Sequence, residues 1–269
     1  MTPPLAPAPH LLLTDVVALA REAGEAILGV YAGAFTVQHK ADRSPLTEAD
    51  LRAHRILVAG LGRLTPGIPV ISEESPAPPL AERGAWEWLW LVDPLDGTRE
   101  FVERSGEFTV NVALVRRHEP VLGVLHVPVT GVDYYGCRGA GAFRQERDGH
   151  AHPIRAQVPM AQPPRVVASR SHRGDRLDGF FTRLGAHELR PAGSALKFGL
   201  IAEGAADVYP RVGPTSEWDT AAGHAIAEAA GATVVTRGGD ALRYNARESL
   251  LNPDFVCYAD ASRAWHTLL

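Results

Sequence analysis

Trp90-Leu91-Val92-Asp93-Pro94-Leu95-Asp96-Gly97-Thr98 is the stretch from which the rest of the chain becomes readable. The apolar run 86–92 reads as a buried strand, and it stops at two carboxylates separated by Pro94 and Leu95. Proline fixes one torsion of that turn. Both acids then point toward one ion, with the Leu95 carbonyl as a neutral oxygen between them. Hard oxygens with no thiolate or imidazole among them suit Mg²⁺, Mn²⁺ or Ca²⁺ better than zinc. Gly97 and Thr98 begin a helical stretch, where backbone N–H groups form a ready anion cradle. Asp-Pro and Asp-Gly are also ordinary turn formers. Their joint occurrence behind an apolar strand is what turns the reading toward metal-assisted phosphate chemistry.

Working outward, the short apolar run 69–71 ends in Ser72, Glu73 and Glu74. Far downstream, Trp218 and Asp219 open a helix expected over 220–230. Upstream, Thr47 starts another helix, with Asp50 in the acidic position of a capping box. Asp50 has two readings, a helix cap or a participant in the chemistry. A first helix is expected over 14–33 from the spacing of Val16, Leu19, Ala20, Ala23 and Ile27, with Thr14 as its cap. The β-rich runs 109–115, 121–127, 133–135 and 141–143 predict an antiparallel meander. The polar segment 144–152 reads as an exposed loop. The second half alternates, with strands at 165–168, 207–209, 234–236 and 255–258 and helices at 175–184 and 195–202. This pattern predicts a layered α+β or α/β fold. The expected organisation is a disordered leader over 1–11, an α+β half over 12–150 carrying most of the acids, and an α/β half over 151–269 completing the site.

The chain has 269 residues, enough for one large domain or two packed ones. Its 27 Lys and Arg against 31 Asp and Glu leave a net charge of -4, with no basic field for a nucleic-acid polymer. Hydrophobic residues at 45% and charged residues at 22% exclude disorder, collagen and coiled coil. Cys137 and Cys257 are too few for a disulfide framework or zinc cluster, and read as reduced thiols of a cytoplasmic protein. No stretch approaches the ~18 apolar residues of a spanning helix, and the Pro/Ala-rich start is no signal peptide. His150 and His152 lack a third metal ligand nearby. Trp86, Trp88 and Trp90 alternate at strand period, which indicates packing. Gly139-Ala140-Gly141 and Arg116-Arg117-His118 read as turns.

Three segments carry a family resemblance: Ser72-Glu73-Glu74-Ser75, Trp90 through Phe101, and Glu217-Trp218-Asp219-Thr220-Ala221-Ala222-Gly223. With Lys40 through Thr47, Gly106 through Asn111, Ser169-Arg170-Ser171-His172 and Tyr209-Pro210-Arg211, they resemble, in unbroken order over 12–258, the inositol monophosphatase superfamily. Within it they are most similar to the bacterial 3'(2'),5'-bisphosphate nucleotidases. The resemblance implies a layered αβαβα sandwich and Mg²⁺-dependent phosphate monoester hydrolysis, with two or three Mg²⁺ per site. Glu73, Asp93, the Leu95 carbonyl, Asp96 and Asp219 then correspond to metal ligands, with Glu74 their neighbour. Glu73, Asp50 and Thr98 take catalytic positions, the last two orienting the attacking water. Lys40 and Asp42 fall on a catalytic loop.

Gly97, Thr98 and Asp219 correspond to contacts with the substrate, and Ser169, His172, Ser194, Lys197 and Arg211 to nucleotide contacts. Arg211 stands where inositol monophosphatases usually carry an acid. Exchanging a hydroxyl acceptor for a phosphate donor favours a bisphosphate substrate. The implied reaction converts 3'-phosphoadenosine 5'-phosphate to AMP and phosphate, with the 5'-phosphosulfate analogue as a second substrate in sulfate assimilation. The alternative is an inositol monophosphatase or a fructose-1,6-bisphosphatase-like sugar phosphatase. A non-catalytic nucleotide-binding protein is disfavoured by the complete acid set. The resemblance further implies sensitivity to Li⁺, a cytoplasmic location with or without a peripheral seat at the inner membrane, and a monomer or homodimer.

Overall fold

Alternation along residues 88–96 sets the layers. Trp90 and Val92 pack to one side, Leu89 and Leu91 to the other, and both sides are buried. A sheet apolar on both faces must be covered on both. The computed structural model describes residues 8–39, 45–169 and 175–269. His172, Lys40 and Asp42 lie outside the described residues.

The first half runs α1 (Pro9–Tyr31), β1 (Gln38–His39), β2 (Pro45–Leu46), α2 (Glu48–Leu64), β3 (Val70–Ser72), α3 (Leu80–Arg83), β4 (Trp88–Asp96) and α4 (Thr98–Val102). A meander follows: β5 (Thr109–Arg116), β6 (Glu119–Val127), β7 (Val132–Cys137), β8 (Gly141–Gln145) and β9 (Ala151–Ile154). The chain continues through β10 (Arg165–Ser169), α5 (Asp175–Leu184), β11 (Glu188–Ala192), α6 (Leu196–Ala202) and β12 (Val208–Arg211). It ends with α7 (Glu217–Ala229), β13 (Thr233–Thr236), β14 (Phe255–Tyr258) and a 3-10 turn, Trp265–Leu268.

Strands β3 to β9 form a seven-stranded sheet in sequence order. It is antiparallel except for the β3–β4 pair. Helices α1 and α2 cover its Trp90 face through Val16, Ala20, Ile27, Leu57 and Leu61. On the other face, Phe198 of α6 and Ala222 and Ile226 of α7 pack against Leu91, Ala113 and Leu125. A five-stranded sheet, ordered β11-β10-β12-β14-β13, lies beyond them and brings Tyr209, Val234 and Phe255 to the same cluster. Phe180 of α5 and Trp265 close its outer face over Val256. The fold is the expected αβαβα sandwich.

The inner helix layer is squeezed between two sheets, and α7 meets that demand with small residues: Ala221, Ala222, Gly223, Ala225 and Ala227. On β6, a Cβ placed at Gly123 would stand 2.1 Å from the Ala222 carbonyl oxygen. Gly123→Ala is therefore expected to cost about 3 kcal/mol, the upper range for overpacking, because backbone cannot swing aside. A lowered urea midpoint with an unchanged slope would show it; an unshifted midpoint would contradict the packing.

Several boundaries differ from expectation. Helix α1 starts at Pro9, so residues 9–11 form its first turn and Thr14 lies inside it. Proline is tolerated there because a first-turn N–H has no intrahelical partner. Segment 144–152 is not a loop but part of an edge hairpin, with Arg144 paired to His152 and Gln145 to Ala151. The seventh strand thus lies beyond the expected boundary at 150, and its exposed His152 and Pro153 suit an open edge. Strand β11 escapes a pattern reading because Glu188, Arg190 and Pro191 interrupt it, as an edge position permits. Helix α7 begins at Glu217, earlier than the expected 220. Among the described residues, no helix is long and apolar enough to cross a membrane.

Candidate active site

A break in strand parity builds the site. Asp93 pairs with Asn111 and Asp96 with Thr109, so three steps on β4 oppose two on β5. That extra residue is a β-bulge. In an unbroken strand, residues three apart face opposite ways. Here Leu95 joins Trp90 and Val92 in the α1/α2 layer, which turns Asp96 to the same side as Asp93, between the sheets. Pro94 suits the bulge because it has no N–H to lose from the ladder. Asp93 Oδ1 accepts the Leu95 N–H at 3.1 Å. Asp96 Oδ2 accepts the Ala195 N–H at 2.6 Å and the Asn111 carboxamide at 3.3 Å, tying β4 to β5 and the start of α6.

Two further acids reach this place. Glu73 follows β3, and its N–H donates to the Val92 carbonyl at 3.1 Å, next to Asp93. Asp219 is the third residue of α7, where its Oδ2 accepts the Ser216 N–H at 2.9 Å in a capping box. Burial, then the Glu73, Asp96 and Asp219 charges, push the Asp93 carboxyl well above the usual carboxylate range. Burial and then Asp96 do the same to Asp219. Asp96 is raised by burial, against the pull of Lys197 and its own hydrogen bonds. Among the described residues no three such side chains close round one point as a finished cage. The acids instead form a mutually repelling, all-oxygen rim, whose charge and hardness fit a divalent cation such as Mg²⁺.

Asp50 caps a helix through one oxygen and faces Thr98 through the other. Its Oδ2 accepts the Thr47 N–H and hydroxyl, each at 2.7 Å, completing the cap of α2. Its Oδ1 faces the Thr98 hydroxyl at 3.4 Å, and that hydroxyl also lies 3.2 Å from the Leu95 carbonyl. Either acceptor takes the Thr98 proton and leaves the Thr98 oxygen free to accept one. Gly97 caps α4 with φ 91, a left-handed conformation that only glycine adopts without strain.

A cleft of about 620 Å³ opens beside the acids, with Asp96, Thr98, Ser194, Lys197, Arg211 and Asp219 among its lining residues. Lys197 is 4% exposed, not the solvated charge a helical lysine usually is. Its ammonium donates to the Ser194 carbonyl and lies 5.5 Å from the centre of the Tyr209 ring. Burial pushes its pKa down to about 8. Arg211 ends β12; one Nη donates to the Pro214 carbonyl at 2.9 Å, and its buried Nε has no hydrogen-bond partner among the described residues. The Ser194 hydroxyl lies 2.7 Å from Thr109 Oγ1, which itself donates to Asn111 Oδ1 at 2.7 Å. The Ser194 proton is thereby directed at Thr109. Ser169, at the end of β10, is buried in the cleft wall.

A sequence model described as the inositol monophosphatase family matches residues 10–269. The chain belongs to this family. Its relatives include the 3'(2'),5'-bisphosphate nucleotidase CysQ of Salmonella typhimurium (strain LT2), 52% identical over 248 residues, which span 91% of this chain and 98% of that one. The protein of the same name from Escherichia coli (strain K12) is 50% identical over 248 residues, with the same shares of both chains. A crystal structure of CysQ from Bacteroides thetaiotaomicron, described as a bacterial member of the inositol monophosphatase family, aligns with a TM-score of 0.80 at 42% identity. It covers 91% of this chain and 97% of that one.

Thr109 and Asn111, which hold Ser194 and Asp96 from behind, and Tyr209 in the cleft wall are residues that sequence reasoning did not single out. A signal for the first two exists: polar residues two apart in an otherwise apolar strand, at the register of Asp96 and Asp93. Tyr209 gives none, because a tyrosine in a short strand reads as core.

Proposed function

We propose that the protein is a Mg²⁺-dependent 3'(2'),5'-bisphosphate nucleotidase that hydrolyses 3'-phosphoadenosine 5'-phosphate to AMP and phosphate, and accepts the 5'-phosphosulfate analogue. The observation that carries this reading is a single cleft lined both by acids, Asp96 and Asp219, and by two buried or half-buried cations, Lys197 and Arg211. One phosphate would meet the acids through the metal, and the other the two cations. Similarity to proteins named CysQ supports the same substrate class.

Glu73, Asp93, the Leu95 carbonyl, Asp96 and Asp219 would hold Mg²⁺, which supplies positive charge to the transferring phosphoryl group and acidifies water. Thr98 orients the attacking water: its proton goes to Asp50 or Leu95, so its oxygen accepts one from the water. Lys197 and Arg211 hold the non-reacting phosphate through charge-assisted hydrogen bonds. Ser194 and Ser169 line the nucleotide side, and the family resemblance adds His172 as a nucleotide contact, with Gly97 giving the reacting phosphate close access to backbone N–H groups. Steady-state phosphate release with saturating Mg²⁺ is expected to favour the nucleotide bisphosphate over inositol 1-phosphate by about a hundredfold or more in kcat/KM. Preference for the inositol ester would overturn the nucleotidase reading.

A further inference from the structure

Behind Asp219 lies a polar layer that the chemistry above does not use. Segment 245–252 wraps the start of α7. Asn252 Nδ2 donates to the Ser216 carbonyl at 2.8 Å, Glu217 N to the Leu250 carbonyl at 2.8 Å, and Asn245 N to Glu217 Oε2 at 2.6 Å. Asn245 takes a left-handed conformation, φ 54. Its side chain is locked to Arg83 in both directions: Arg83 Nη1 donates to Asn245 Oδ1 at 2.5 Å, and Asn245 Nδ2 returns a bond to the Arg83 carbonyl at 2.7 Å. The remaining guanidinium N–H groups reach the carbonyls of Pro78, Arg247 and Glu248 at 3.0, 2.8 and 2.6 Å.

Arg83 is 1% exposed, and every hydrogen bond shown for its guanidinium ends on a neutral oxygen. Burying a guanidinium is costly, and an apolar cluster of the same volume would stabilise the fold as well or better. What the apolar cluster lacks is direction. Arg83 lies between the turn that carries Glu73 and the strand that carries Asp93 and Asp96. Asn245 holds Glu217, the first residue of α7, two places before Asp219. The Arg83–Asn245 pair therefore connects the stretch of chain between Glu73 and Asp93 to the segment that holds the start of α7.

We propose that Arg83 and Asn245 are positioning residues of the divalent-cation site, fixing where α7 presents Asp219 relative to Glu73, Asp93 and Asp96. The inference rests on the metal-dependent reading above. Outer groups that orient ligands commonly govern metal affinity by ~10–100-fold. The test is calorimetric titration of substrate-free protein with Mn²⁺ and Mg²⁺, in wild type, Arg83→Lys and Asn245→Gly. Lysine keeps the charge but loses the fork. Glycine keeps the left-handed backbone and the N–H to Glu217, and loses only the link to Arg83.

Both variants are expected to bind the cations about tenfold or more weakly. Raised Mg²⁺ should restore their kcat, with the nucleotide KM at saturating Mg²⁺ within about twofold of wild type. Wild-type cation affinity in either folded variant, whatever its Tm, overturns the proposal. Wild-type protein that binds neither cation overturns the metal-dependent reading instead.

Discussion

Asp93→Asn is expected to cut Mg²⁺-dependent phosphate release by about a thousandfold while making the metal-free protein more stable near pH 8. Loss of an outer orienting group alone costs up to ~100-fold, and a ligand that also carries charge costs more. The stability effect follows from linkage. Burial and three neighbouring acids hold the Asp93 carboxyl well above its ordinary 3.8, so the folded form binds its proton more readily than the unfolded chain. Stability from such a group is present at low pH and is lost as pH rises from the ordinary value through the raised one. Asp219 acts in the same sense. An isosteric amide removes one charge from the rim and keeps an oxygen for the Leu95 N–H. Mg²⁺ should reverse the order, because a cation that binds only the folded state stabilises wild type more. Thermal melts at about pH 5 and pH 8, with and without Mg²⁺, separate these effects. A metal-free variant less stable than wild type near pH 8, or phosphate release within about tenfold of wild type, would refute the assignment.

Lys197→Met should separate the two phosphates. One charge-assisted contact is worth ~1.5–3 kcal/mol, so kcat/KM for the nucleotide bisphosphate should fall by about a hundredfold. Inositol 1-phosphate, with nothing for Lys197 to hold, should change by less than about threefold. The pH dependence has a defined sign. Burial holds the folded ammonium at about 8, below its ordinary 10.5, so the unfolded chain binds this proton more tightly between the two values. Stability linked to Lys197 rises with pH across that window, and the protonated lysine destabilises the fold below it. The methionine variant should therefore be more stable than wild type near pH 7, with the advantage fading above about pH 10. In the free enzyme, affinity for the bisphosphate should weaken above about pH 8 in wild type and not in the variant. Equal losses on both substrates would place Lys197 at the reacting phosphate.

What the sequence displays and what it conceals divide along physical lines. Asp93 and Asp96 are legible because two carboxylates closing an apolar strand are out of place in any core. The cap at Thr47 and Asp50 is legible because helix starts have a local code. The meander is legible as apolar, β-rich runs separated by turn residues. Lys197 is different. Its burial depends on α6 lying between two sheets, and nothing within 196–202 announces the second sheet. Arg83 carries no local signal, yet its guanidinium is held by residues 245–248, more than 160 positions away. The hairpin at 144–154 is hidden for the opposite reason: an edge strand gains nothing from apolar residues on its open side, so its composition imitates a loop.

The small-residue face of α7 has an evolutionary consequence. With the Ala222 carbonyl seated against Gly123 of β6, and Gly223 against the Phe198 ring of α6, neither the seven-stranded sheet nor α6 can move relative to α7 without a collision. Asp219 rides on α7, so its position is inherited from that packing. A lineage acquiring a new phosphate ester cannot retune the acidic end without repacking the whole interior. The ends of β10 and β12, which carry Ser169 and Arg211, carry no such debt. Substrate range is free to diversify there while the catalytic end stays still, and the sandwich divides its own surface into a part that can be edited and a part that cannot.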